Sequence, residues 1–125
     1  MKKIIASKAA PAAIGPYSQA VEINGFVFIS GQLPIDPETG DFPAGGIKEQ
    51  TEQSFKNIKA ILAEAGLTTD NIVKTTVLLA SMDDFVAMNE VYAAQFGETF
   101  PARSAFAVKT LPKNALVEIE VIAAH

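Results

Sequence analysis

Leu116-Val117-Glu118-Ile119-Glu120-Val121-Ile122-Ala123 decides how this chain must fold. Its alternation has the period of a β-strand, so Val117, Ile119 and Val121 point to one sheet face while Glu118, Glu120 and Ile122 point to the other. The aliphatic face needs a cover of helices, which leaves two glutamates on a face free for solvent or for a partner subunit. The cover lies upstream. From Ile47 to Ala65 the apolar spacing turns helical, with Phe55, Ile58, Ile61, Leu62 and Ala65 on one stripe, and Gly66 marks the stop. A second helix is expected from about Asp83 to Phe96, entered through Ser81 and acidic residues, with Phe85, Met88, Tyr92 and Phe96 as its stripe.

The remaining segments read as strands and loops. Ile4 and Ile5 fit a short edge strand, and Ala9 to Pro16 a loop. Tyr17 to Ile23 and Phe26 to Gly31 form a hairpin, because Asn24-Gly25 suits a type I′ turn in which both central residues need positive φ. Leu33 to Gly46 holds three prolines and three glycines and is loop. Ile72 to Ala80, rich in Val, Thr and Leu, reads as a buried strand, and two final strands, Arg103 to Val108 and Leu116 to Ala123, flank a turn around Pro112-Lys113-Asn114. The order β-β-α-β-α-β-β predicts an α+β fold: a mixed sheet with both helices on one face.

The chain's 125 residues suit a single domain, 1–125. With 49% apolar and 19% charged residues, it has more apolar surface than a lone small domain should show, so copies of itself are expected to cover some of it. A net charge of −4 and a pI near 4.9, with no basic run, argue against nucleic acid as the main partner. Nothing in the chain reads as a signal peptide or a membrane span, and a cytoplasmic location without membrane contact is expected.

Elimination narrows the chemistry. There is no cysteine, and His125, the last residue, is expected in a fraying tail, so neither Cys-His nor Ser-His-Asp machinery is available. Zinc spacings, acidic calcium loops and Gly-rich phosphate loops are missing too, so no cofactor and no metal is expected. Three segments are over-specified for packing: Gly15-Pro16-Tyr17-Ser18-Gln19, Ile29-Ser30-Gly31-Gln32, and Phe100-Pro101-Ala102-Arg103-Ser104 with Glu118-Ile119-Glu120 downstream.

GPYSQA, FISGQ, KTTVLL, MNEVY, FPARSAF and LPKNALVEIE, in that order over essentially the whole chain, resemble the reactive intermediate deaminase A family, also called the YjgF family. That resemblance implies a chorismate-mutase-like fold, a homotrimer with active sites between subunits, and hydrolysis of 2-iminopropanoate and 2-iminobutanoate. It places the family's substrate-binding arginine on Arg103, its tyrosine on Tyr17, its serine-glycine pair on Ser30 and Gly31, its asparagine on Asn89 and its water-positioning glutamate on Glu118. Where many members carry cysteine, this chain has Ala105.

The side chains suit that chemistry on their own account. Arg103 offers a planar fork to a carboxylate, and a half-buried glutamate can deprotonate water if its pKa is raised. Backbone groups near Gly31 and Ala105 can hold the imine nitrogen, and Tyr17 can close the pocket or relay a proton. Glu118 and Glu120 share a strand face and are not separable at this level. Each residue has a plainer role as well: Arg103 as a surface ion-pairing group, Tyr17 as an interface aromatic, Ser30 and Gly31 as strand end, Asn89 as a helix-to-loop tether. Two other functions compete: a non-catalytic oligomer that binds small ligands or protects proteins, and a ribonuclease or translation inhibitor, which the missing basic patch disfavours.

Overall fold

In the computed structural model, which describes residues 1–125, the chain runs β1 (Lys3–Ile5), β2 (Ala20–Ile23), β3 (Phe26–Gln32), α1 (Ile47–Glu64), β4 (Ile72–Leu79), α2 (Phe85–Ala93), β5 (Ala102–Ala107) and β6 (Val117–Ala124). All six strands join one mixed sheet in the order β1-β2-β3-β6-β4-β5. β4 and β5 are parallel, and β6 runs antiparallel to both β3 and β4. Two helical crossovers therefore step across the sheet in the same direction, β3 to β4 through α1 and β4 to β5 through α2. Such crossovers share one hand, which puts both helices on the same face.

The alternation in β6 is realised as read. Val117, Ile119, Val121 and Ala123 are buried beneath the helices, whereas Glu118, Glu120 and Ile122 lie on the opposite face. Phe55, Ile58, Ile61 and Leu62 of α1 have no exposed surface, and burying each such side chain stabilises the fold by about 2 kcal/mol. Asn24 and Gly25 take φ of 52° and 81°, as the hairpin turn requires.

Three boundaries and the C-terminal tail differ from the sequence reading. The strand expected from Tyr17 begins only at Ala20, because Pro16 cannot donate and Tyr17 N–H closes a tight turn onto Gly15 O at 2.8 Å. α2 is shorter than expected. A 3-10 turn over Met82–Asp84 precedes it, with Ser81 Oγ accepting from Asp83 N–H at 3.1 Å, and the chain beyond Ala93 continues as a turn that still seats Phe96 against Tyr92 at 5.0 Å. Gly31 does not end its strand, since β3 continues to Gln32 through a bulge in which Ser30 and Gly31 lie opposite Glu120. The tail at His125 is tied down: its N–H donates to Gly25 O at 3.0 Å, and its Nε2 lies 3.1 Å from Glu22 Oε1.

Buried polar side chains hold the loops. Asn57 on α1 donates from Nδ2 to Leu33 O at 3.0 Å and Ile35 O at 2.9 Å, pinning the start of the 33–46 loop. Gln19 does the same for the N-terminal loop, accepting from Ser7 N–H at 2.6 Å and donating to Pro11 O at 2.7 Å. No helix is long and apolar enough to cross a membrane.

Candidate active site

Arg103 stands on β5 directly beside Thr75 of β4, and partners in register share a sheet face. Thr75 is buried under α2, so the Arg103 side chain is directed to that helix as well. Its guanidinium carbon sits 4.7 Å from the Tyr92 ring centroid and 5.4 Å from that of Phe85. Nη1 donates to Asn89 Oδ1 at 2.6 Å. The molecule's two ion pairs, Lys48 with Glu90 and His125 with Glu22, are elsewhere, which leaves Arg103 a charged fork without a carboxylate of its own. Such a group, held flat and reachable from solvent, is a receptor for a carboxylate.

Glu118 is placed differently. It lies on the helix-free face beside the β3 bulge, so close to Gly31 that a Cβ there would stand 2.9 Å from its carboxyl carbon. The residue is half-buried. Burial raises its pKa above the usual carboxylate value, and the neighbouring charge of Glu120 adds to the rise. Glu120 itself is exposed and lines a cleft of about 590 Å³ together with Lys2, Tyr17, Phe28 and Ser30. The Ser30 hydroxyl donates to Ser18 O at 2.7 Å, and Ser30 N–H to Gln19 O at 2.9 Å. Ser30 thus holds the segment that carries Tyr17, whose ring is half exposed at the cleft.

One chain brings these residues together as two groups. Arg103 joins Asn89 on the helix side, while Glu118, Gly31, Ser30 and Tyr17 gather on or beside the open side. The sheet lies between them, so a single copy cannot present both groups to one small molecule. Ala105 follows Arg103 by two residues on the same face and packs against the core; β5 is an edge strand, so part of its backbone N–H and C=O faces away from β4. Sequence reasoning placed Phe85 and Tyr92 in the core stripe and missed their contact with Arg103. Their spacing with Asn89, at i, i+4 and i+7, was the signal for a shared helix face. No three His, Asp or Glu side chains converge as metal ligands would.

The family model described as endoribonuclease L-PSP matches residues 7–125. The chain belongs to that family. Within the endoribonuclease L-PSP family it is similar to the human 2-iminobutanoate/2-iminopropanoate deaminase, with 46% identity over 98% of this chain and 90% of the human protein. A RutC family protein of Pyrococcus horikoshii is 54% identical over 98% of each chain. The crystal structure of Escherichia coli TdcF with bound serine superposes with a TM-score of 0.94 at 45% identity, covering 98% of each chain.

Proposed function

We propose that this protein hydrolyses 2-imino acids such as 2-iminobutanoate and 2-iminopropanoate to 2-oxo acids and ammonia. The observation that carries the proposal is the unpaired Arg103 fork, held by Asn89 and two aromatic rings. The activity named for the human relative and the serine bound to TdcF, itself a small amino-acid carboxylate, support it.

The mechanism uses one group from each side of an interface. Arg103 and Asn89 of one copy bind the substrate carboxylate, and Glu118, Gly31 and Tyr17 of a neighbouring copy in a homotrimer face the imine carbon. Glu118 takes a proton from water as its oxygen bonds to that carbon. The raised pKa makes this carboxylate a better base than an exposed glutamate and favours Glu118 over Glu120. Backbone groups of Gly31 and the Ala105 strand hold the nitrogen as it becomes an amine. With the imine protonated, attack gives a neutral carbinolamine. Glu118 returns its proton to that nitrogen, the C–N bond breaks to release ammonia, and the hydroxyl proton passes to the Glu118 carboxylate and on to solvent as the new oxygen becomes the carbonyl. Tyr17 closes the site against bulk water. Imines hydrolyse readily, so orientation and a placed base supply enough acceleration.

The test is oxo-acid release from 2-iminobutanoate generated in situ by a threonine dehydratase. Wild type accelerates release, and Arg103→Ala lowers kcat/KM about 100-fold, as expected for losing a charge-assisted pair of hydrogen bonds. A wild-type rate no faster than spontaneous hydrolysis, across several imino acids, rejects the enzyme in favour of a ligand-binding oligomer.

A further inference from the structure

We infer that Tyr92, tethered by Thr75, is a positioning residue that fixes the plane of the Arg103 guanidinium and so sets the affinity for the substrate carboxylate. The role rests on the imino-acid hydrolysis proposed above.

An exposed arginine has four rotatable side-chain bonds, and holding it in one geometry costs about 2 kcal/mol of rotamer freedom. Arg103 has been deprived of that freedom before any ligand arrives. Its guanidinium lies over the Tyr92 ring at 4.7 Å, and a cation over an aromatic face is stabilised by about 0.5–2 kcal/mol. The ring is itself immobile. Tyr92 is buried, packs edge-on to Phe55 at 5.7 Å and 74°, and rests against Phe96 at 5.0 Å. Its hydroxyl meets Thr75 Oγ1 at 2.7 Å.

Thr75 closes the loop, because it is the β4 residue in register with Arg103. Backbone pairing ties Arg103 to Thr75, the hydroxyl contact ties Thr75 to Tyr92, and the ring face ties Tyr92 back to Arg103. Each link is short, and together they leave the guanidinium little room to tilt. Burial also raises the Tyr92 pKa, which keeps the hydroxyl protonated as a partner for Thr75. Asn89 completes the seat with a neutral acceptor, so one N–H is engaged without an opposing charge to compete with the ligand.

The experiment compares Tyr92→Leu, Tyr92→Phe and Arg103→Ala in the full-length protein. Steady-state turnover of 2-iminobutanoate is measured alongside calorimetric titration with 2-oxobutanoate. Tyr92→Leu is expected to raise KM and the Kd for 2-oxobutanoate about tenfold with kcat within about twofold, the pattern of lost ground-state and transition-state binding alike. Tyr92→Phe keeps the ring face and loses only the Thr75 tether, so its KM is expected about threefold above wild type, between wild type and Tyr92→Leu. The Arg103 Nε–H proton, shifted upfield by the ring in wild type and Tyr92→Phe, moves to its ordinary position in Tyr92→Leu.

A wild-type KM in Tyr92→Leu, or a fall in kcat with KM unchanged, overturns the role. If Tyr92→Leu does not fold, Thr75→Val carries the test by cutting only the tether, and an unchanged KM there is equally decisive against it. Arg103→Ala separates the two levels. Unchanged 2-oxobutanoate binding in that variant rejects the carboxylate site itself, whereas lost binding there with none lost in Tyr92→Leu rejects only the strut.

Discussion

Burial beside Gly31 makes Glu118 reluctant to ionise, and the consequences for activity and stability have opposite signs. Only the ionised carboxylate can accept a proton from water, so kcat is expected to rise with pH through a limb above the ordinary glutamate value, a limb that Glu118→Gln removes along with most of the rate. Stability runs the other way. Between the unfolded chain's value near 4.5 and the raised folded value, the native state retains a proton that the unfolded chain has released, so stability falls as pH rises through that window. Glu118→Gln is therefore expected to resist urea better than wild type at neutral pH, with the gain vanishing in acid; an advantage that does not vary with pH rules out ionisation as its cause. Gly31→Ala probes the same contact sterically. The added methyl meets the movable end of Glu118 at 2.9 Å, so the fold should survive while kcat falls by up to about 100-fold, the cost of a base displaced by about 1 Å.

At the scale of elements, both helices and every strand were legible in the sequence, because hydrophobic period dominates wherever an element buries one face. Phe55, Ile58, Ile61 and Leu62 were read correctly for that reason, as was the alternation from Val117 to Val121. What the period could not reveal was the polar work on α1. Gln50, Gln53 and Asn57 are buried too, yet they look like ordinary surface residues in the sequence because Gln50 and Asn57 find their partners in backbone groups far along the chain, and Gln53 donates to Asn57 Oδ1 to hold it in place. The same holds for Tyr17, whose position is set by Ser30 and Gln19 and not by strand pairing. Asn57→Ala should strip two carbonyls of their donor and cost about 2–3 kcal/mol, seen as a melting temperature lower by about 5–10 °C and faster proteolysis within 33–46. Unchanged cleavage of that loop would mean that its own turns, not Asn57, keep it in place.

At the scale of the molecule, strand order was the illegible part, since nothing local tells the last strand to enter the slot between β3 and β4. That insertion has a functional consequence, because it sets Glu118 in the middle of the sheet on the open face and leaves Arg103 on an edge strand facing α2. The open face also carries Phe26, Phe28 and Phe106 at 41–48% exposure, a poor surface for a lone chain and a good one for copies of itself. If each site takes Arg103 from one copy and Glu118 from the next, two inactive variants can repair each other. Arg103→Ala and Glu118→Gln, unfolded together in equal amounts and refolded, should form mixed oligomers in which a given interface joins an intact Arg103 to an intact Glu118 with probability one half times one half, restoring about a quarter of wild-type turnover. Refolding each variant alone should restore nothing, and mixing without unfolding should restore activity only as fast as subunits exchange. If the mixture that elutes as hetero-oligomers stays inactive, then both residues serve a site within one chain, and the sheet that separates them here would have to rearrange before any substrate could touch both.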